Sequence, residues 1–104
     1  PKQIIFIKSG YEHIKIDTAA IVYIKSDADY TELHLNNKKY LSSESLRHWL
    51  ATLDAQQFVR IHKSYIINST KIEKVIGNQI YLNKASVVPI GRAYKESFVH
   101  RFLK

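Results

Sequence analysis

Polar and apolar residues alternate at two places early in the chain: Ile14 and Ile16 against His13 and Lys15, then Leu33 and Leu35 against Glu32 and His34. A period of two sends successive side chains to opposite faces, so both segments predict strands with one buried face. Residues 4–7 and 21–24 are unbroken apolar runs, which predict strands covered on both faces. Between these segments lie Ser9-Gly10 and Asn36-Asn37, and further on Gly77-Asn78. Glycine and asparagine tolerate the positive φ of tight hairpin turns, so residues 3–42 read as a run of antiparallel strands. Strand-like sequence returns at 58–61, 72–76, 79–82 and 86–90, where Pro89 lacks the N–H a ladder needs and marks an edge or a strand end. One segment changes period. Leu46, Trp49, Leu50 and Leu53 fall at i, i+3, i+4 and i+7 behind Ser42 or Ser43, predicting a capped amphipathic helix over about 43–54 with those four residues buried. Beyond Gly91, the spacing of Tyr94, Phe98, Val99, Phe102 and Leu103 predicts a short C-terminal helix. The expected fold is mainly β, with one packed helix and no internal repeat or interdomain linker.

Length and composition narrow the function. A chain of 104 residues is one domain. Its longest apolar run, residues 19–24, is far short of the roughly 20 residues of a membrane span or the core of a secretory signal. The absence of cysteine removes disulfides, thiolate nucleophiles and Cys-based zinc sites, and it fits a cytoplasmic protein. The opening Pro1-Lys2-Gln3, with no methionine anywhere, suggests a domain taken from a longer protein. Charge is distributed unevenly. Residues 1–59 carry seven Lys/Arg and seven Asp/Glu, whereas residues 60–104 carry nine Lys/Arg and only Glu73 and Glu96. The whole net charge of +7 therefore sits in the C-terminal part, the footprint expected of a domain that meets a polyanion.

Residue types suited to catalysis are not arranged for it. The five histidines (13, 34, 48, 62 and 100) form no HExxH pattern, and three scattered glycines cannot build a phosphate loop. Asp27-Ala28-Asp29 supplies two carboxylates but no cation cage, and reads as a polar loop between strands. Neither an enzyme nor a metal or other cofactor is expected. The stretch Phe58-Val59-Arg60-Ile61-His62-Lys63-Ser64-Tyr65-Ile66-Ile67-Asn68 is more informative. Its apolar residues anchor it, while Arg60, Lys63 and Ser64 offer donors suited to phosphate, and Lys63 also suits a guanine edge. A second donor pair, Arg92 and Lys95, follows Gly91 at a strand-to-helix junction, where free N–H groups favour phosphate. Composition alone also fits a single-stranded nucleic-acid binder of OB type, stacking bases on some of the seven tyrosines, or a module whose basic face meets an acidic protein.

The order of residues 58–68 resembles the FxRiHrSylvN core of the LytTR DNA-binding domain family, the output module of LytR/AlgR-type bacterial response regulators. The resemblance extends over the chain, residues 1–104. Ile21-Val22-Tyr23-Ile24-Lys25-Ser26 with Asp29-Tyr30, Tyr40-Leu41 followed by Ser45-Leu46, and Pro89-Ile90-Gly91-Arg92-Ala93-Tyr94 match its flanking blocks. Lys25 stands where the family usually has glutamate, and Gly91 where serine is common. The resemblance implies an elongated stack of small antiparallel sheets with the helix packed at its side, and sequence-specific binding of double-stranded DNA by loops entering successive major grooves. Carried over, Asp29, Tyr30 and Thr31 form one insertion, and Lys63 and Ser64, with Arg60 behind them, make the central contact. Arg92 reads bases at the second insertion beside Lys95 on phosphate, while His62 is structural, packed under its loop. The implied partners are direct-repeat DNA sites, a second copy on that DNA, and an upstream regulatory domain, the receiver type being the usual one.

Overall fold

The structure is a computed structural model that describes residues 3–83 and 86–104. Among these residues, ten antiparallel strands form three sheets. β1 (Ile4–Ser9) and β2 (Glu12–Asp17) make a two-stranded ribbon. β3 (Ile21–Asp27), β4 (Tyr30–Leu35), β5 (Lys39–Ser42), β6 (Phe58–His62) and β7 (Tyr65–Asn68) make a five-stranded sheet in the order β5-β4-β3-β7-β6. β8 (Ile72–Ile76), β9 (Gln79–Leu82) and β10 (Val87–Pro89) make a three-stranded meander. Helix α1 (Leu46–Thr52) links β5 to β6, and α2 (Arg92–Phe102) follows β10. The layers stack into a body of 43 × 30 × 24 Å.

The five-stranded sheet is the middle layer because its strands are apolar on both sides. One face places Ile21, Ile24, Leu33, Phe58 and Ile66 in a core with Ile5, Ile7 and Ile16 of the ribbon and Leu46, Trp49 and Leu53 of the α1 segment. The other face places Val22, Ile61 and Ile67 in a second core with Ile80, Leu82, Val88 and Phe98. A β-bulge between Ile21 and Tyr23 lets the consecutive Val22 and Tyr23 both pack against this second core. The run 21–24 is thus covered on both faces, as expected. Pro89 is both the last residue of β10 and on the edge of its sheet, so no ladder bond is lost.

Several expectations are corrected. Residues 4–7 are covered on one face only: Ile5 and Ile7 are buried, but Ile4 is 37% and Phe6 62% exposed, because among the described residues no layer stacks on the ribbon's outer side. Helix α1 is shorter than 43–54, and its cap is neither Ser42 nor Ser43. Ser45 Oγ accepts the His48 N–H at 3.0 Å, whereas Ser42 ends β5 and accepts from Glu44 N–H. So short a helix presents a narrow seam: Leu46, Trp49 and the C-cap Leu53 are buried, while Leu50, one position off that line, is 36% exposed. The C-terminal helix, with eleven residues, is the longer of the two. There is also a repeated element order that the sequence hides. Strand, 3-10 turn, strand, two-residue turn and strand occur as β2 to β4 and again as β7 to β9. Asp17 and Asn68 cap the two 3-10 turns in the same manner, each accepting from the N–H two residues on, and little else in the two sequences matches.

Both glycine hairpin turns take left-handed backbone, with φ of 63° at Gly10 and 58° at Gly77. The β3–β4 turn needs the same conformation but has Ala28, at φ 53°. Left-handed φ costs an L-residue roughly 1–2 kcal/mol that glycine escapes, partly offset by glycine's freer unfolded chain. Ala28→Gly is therefore expected to raise stability by about 0.5–1 kcal/mol in urea unfolding; an unchanged or lower midpoint would show that this turn carries no strain.

Candidate nucleic-acid interface

The antiparallel pairing of β3 with β7 brings two hairpin turns together. Lys25 pairs with Tyr65, and the Ser26 N–H donates to the Ser64 carbonyl at 2.9 Å, so the turns at Ala28-Asp29 and Lys63-Ser64 leave the sheet at the same end. The second turn contains neither glycine nor asparagine and is held by side chains instead. Arg60 donates through Nε to the His62 carbonyl at 3.3 Å and through Nη2 to the Lys63 carbonyl. His62 Nδ1 accepts the Ser64 N–H at 3.0 Å, which requires the ring's proton to sit on Nε2 when neutral, and the ring meets Tyr65 edge-on at 5.3 Å.

The start of α2 docks beside this hairpin. The Gly91 N–H donates to the Ile61 carbonyl at 2.8 Å. A Cβ on Gly91 would lie 3.3 Å from His62 Cα and 3.2 Å from Tyr94 Cδ2, so glycine permits the close approach. Gly91 is the N-cap of α2 without a side-chain cap bond, and the first N–H groups of a helix have no partner within it. The β8–β9 turn buttresses the same region: the Ile90 N–H donates to Asn78 and Lys95 Nζ to Gly77, both at 2.7 Å to carbonyl oxygens. Three projections therefore share one end of the molecule.

The predicted site residues divide into three groups. Arg92, Lys63 and Asp29 are exposed, Tyr30 is 54% exposed, and Ser64 is half-buried. Among the described residues, the Lys63 and Arg92 side chains have no hydrogen bond or ion pair. Arg60 and Lys95 differ, since both spend donors on loop carbonyls and so brace the projections while adding charge. Thr31 does not face solvent: it is 1% exposed, accepts from Trp49 Nε1 at 2.9 Å and donates to the Glu44 carbonyl at 2.9 Å. Its hydroxyl ties the β3–β4 hairpin to α1. Asp29, Tyr30, Arg60 and Lys63 line one groove of about 460 Å³ together with Ser43, Ser45 and Arg47. Arg92 is not part of this groove. Arg47 carries no signal of a site in the sequence, where it reads as the solvent side of a helix; only the placement of α1 beside the hairpins reveals it.

Further along the β3–β4 hairpin, Tyr23 stacks on His34 at 4.2 Å, and His34 Nε2 lies 2.9 Å from Glu32 Oε1. The hydrogen bond with His34, then the charges of Lys39, His34 and Lys25, hold the Glu32 carboxyl below its ordinary 4.5, against the opposing effect of burial. A depressed carboxyl stabilises the fold above its unfolded pKa and loses that contribution as pH falls through the folded one. Tyr23 is pushed above its ordinary 10.0, first by burial and then by Tyr65 and Glu32. No group of three or more metal-ligating side chains occurs among the described residues. No helix among them is long and apolar enough to cross a membrane.

Known proteins converge on one family. Residues 11–102 match the family model described as the LytTr DNA-binding domain. The chain is 30% identical over 108 residues to an uncharacterized response regulatory protein of Vibrio cholerae, covering 94% of this chain and 41% of that protein. It is also 30% identical over 83 residues to the transcriptional regulatory protein LytR of Staphylococcus aureus, covering 75% and 34%. The CO-responsive transcriptional regulator RcoM of Rhodospirillum rubrum is 29% identical over 84 residues, with 75% and 36% covered. The chain thus spans well under half the length of these relatives. A solved LytTr DNA-binding domain of a methyl-accepting/DNA response regulator from Bacillus cereus superposes with a TM-score of 0.85 over 96% of both chains at 18% identity, a likeness of fold. With the family model matching residues 11–102, most of the chain, this chain belongs to the LytTr DNA-binding domain family of transcription regulators.

Proposed function

We propose that this domain reads double-stranded DNA in a sequence-specific way, by placing its hairpin turns and the start of α2 into successive major grooves on one side of the duplex. The observation that carries this reading is the convergence of the turns at Ala28-Asp29 and Lys63-Ser64 with Arg92 at one end of the molecule, with two unpaired cationic heads among them. Arg92 has the rigid fork that matches guanine O6 and N7. Lys63 and Ser64 contact the backbone at the centre, with Arg60 behind them, and Lys95 adds charge near Arg92. Asp29 and Tyr30 make the other insertion, which Thr31 positions from within. The exposed tyrosines do not favour stacking on single strands. Among the described residues, Tyr11 and Tyr30 are the well-exposed tyrosines, and they lie on different hairpins, which does not favour a tyrosine stacking platform. In the full-length regulator the domain works in the cytoplasm under an upstream receiver, with two copies side by side on a direct repeat.

The test is competition binding to a preferred duplex and to single-base variants of it at two salt concentrations. Arg92→Ala is expected to cost about 1–3 kcal/mol on the preferred site and to flatten discrimination at one position. Lys95→Ala is expected to weaken every sequence alike and lower the salt slope by about one unit. Equal loss on all sequences for Arg92→Ala would make Arg92 a phosphate clamp and remove it from base reading.

A further inference from the structure

We infer that the groove between the two hairpins and α1 is a phosphodiester-binding subsite, in which Arg47 and Lys63 grip one backbone phosphate of the bound duplex. The inference rests on the duplex-DNA reading above and adds a contact surface that lies off the hairpins. Arg47 sits in the first turn of α1, directly after Leu46, which is buried and fixes the helix in place. Arg47 is exposed, and neither its side chain nor that of Lys63 has a hydrogen bond or ion pair among the described residues, yet both line the same groove. Arg60 also lines it. Two of its five N–H donors, on Nε and Nη2, are committed to the His62 and Lys63 carbonyls, so that edge of the guanidinium braces the turn while the group contributes charge.

Two carboxylates, Glu44 and Asp29, line the groove against the three cations Arg47, Arg60 and Lys63. The Glu44 carboxylate is held by His48 Nδ1 at 2.9 Å. Asp29 stands on the hairpin turn itself, where a carboxylate repels phosphate but accepts from a cytosine amino group. Charge is thus sorted by position, with an acceptor on one turn and donors on the other turn and on α1, around the groove they share. A duplex lying across the two tips presents its backbone, not its base edges, to the recess between them. Arginine's planar fork and lysine's point charge suit one phosphate approached from two sides.

The experiment measures affinity for a duplex selected from a random library and for a scrambled duplex, at several salt concentrations. Arg47→Ala is expected to weaken both duplexes by a similar factor, about 3–10-fold, and to lower the salt slope by about one unit. Arg47→Lys keeps the slope while losing part of the affinity. In a Lys63→Ala background, Arg47→Ala has a smaller effect, because the two share one phosphate. Neutralising backbone positions one at a time with methylphosphonate identifies that phosphate as the position where wild-type protein loses affinity and Arg47→Ala loses clearly less. If Arg47→Ala binds like wild type while Lys63→Ala and Arg92→Ala are weakened, the subsite is refuted and the duplex-DNA reading stands. A change in base preference at constant salt slope also refutes it, since Arg47 then touches a base. If none of the three variants changes duplex affinity, the duplex-DNA reading itself fails.

Discussion

Trp49→Ala is expected to remove about 3–5 kcal/mol of stability, a large part of the 5–15 kcal/mol typical of a domain. The indole is 2% exposed and packs in the core between the five-stranded sheet and the ribbon. Truncation empties the largest side chain from a layer that small neighbouring shifts cannot refill. It also takes away the Nε1–H that donates to Thr31 Oγ1 at 2.9 Å. Thr31 in turn holds the Glu44 carbonyl, so the loss reaches the base of the β3–β4 hairpin as well as the core. Trp49→Phe keeps most of the apolar volume and loses the donor, and is expected to cost only about 1–2 kcal/mol. Urea unfolding with an unchanged m-value reports both. A loss below about 1 kcal/mol for the alanine variant would mean that Trp49 is not packed and has another role.

Asn68→Ala is expected to cost about 2–4 kcal/mol, more than its modest volume suggests. The residue is fully buried. Its Nδ2 donates to the Ile21 carbonyl at 2.8 Å, across a sequence gap of 47 residues, and its Oδ1 accepts from Thr70 N–H and Oγ1 at 3.1 and 2.8 Å. One amide therefore fastens β7 to the start of β3 and caps the following 3-10 turn. Asn68→Asp separates hydrogen bonding from volume. It keeps the acceptor but turns a second oxygen toward the Ile21 carbonyl, so at pH 7 it should cost at least as much as alanine. Burial raises the introduced carboxyl's pKa, so the deficit shrinks as pH falls through that raised value and the acid begins to donate. An aspartate variant as stable as wild type at pH 7 would show that the Ile21 contact contributes nothing.

Asn68 also shows what the sequence can and cannot convey. The motif order of residues 58–68 was visible, but not the division of labour within it. A two-residue turn built from Lys63-Ser64 carries no glycine or asparagine signal, because Arg60 and His62 supply the bonds that a turn residue otherwise would. The strands were legible wherever one or both faces were buried, since burial writes its period into the residues. That period does not say whether a second layer exists, and so the run at 4–7 looked fully covered although Phe6 is exposed. Three serines at 42, 43 and 45 are equivalent as caps on composition. The ladder between β4 and β5, which takes Ser42 against Thr31, decides among them. The same register explains Thr31: alternation along β4 turns it inward with Leu33, while Tyr30 beside it faces out. Arg47 was hidden for a different reason. Its meaning depends on which loops lie near α1, and no local pattern encodes that.

The most direct measurement of the central claim is an NMR titration of the isotope-labelled domain with a duplex selected from a random library. Binding through the proposed end predicts backbone amide shifts concentrated at residues 28–30, 43–47, 62–64 and 91–95, with the outer face of the ribbon around Phe6 and Lys15 unchanged. Shifts centred on the ribbon, with those four segments silent, would contradict the account.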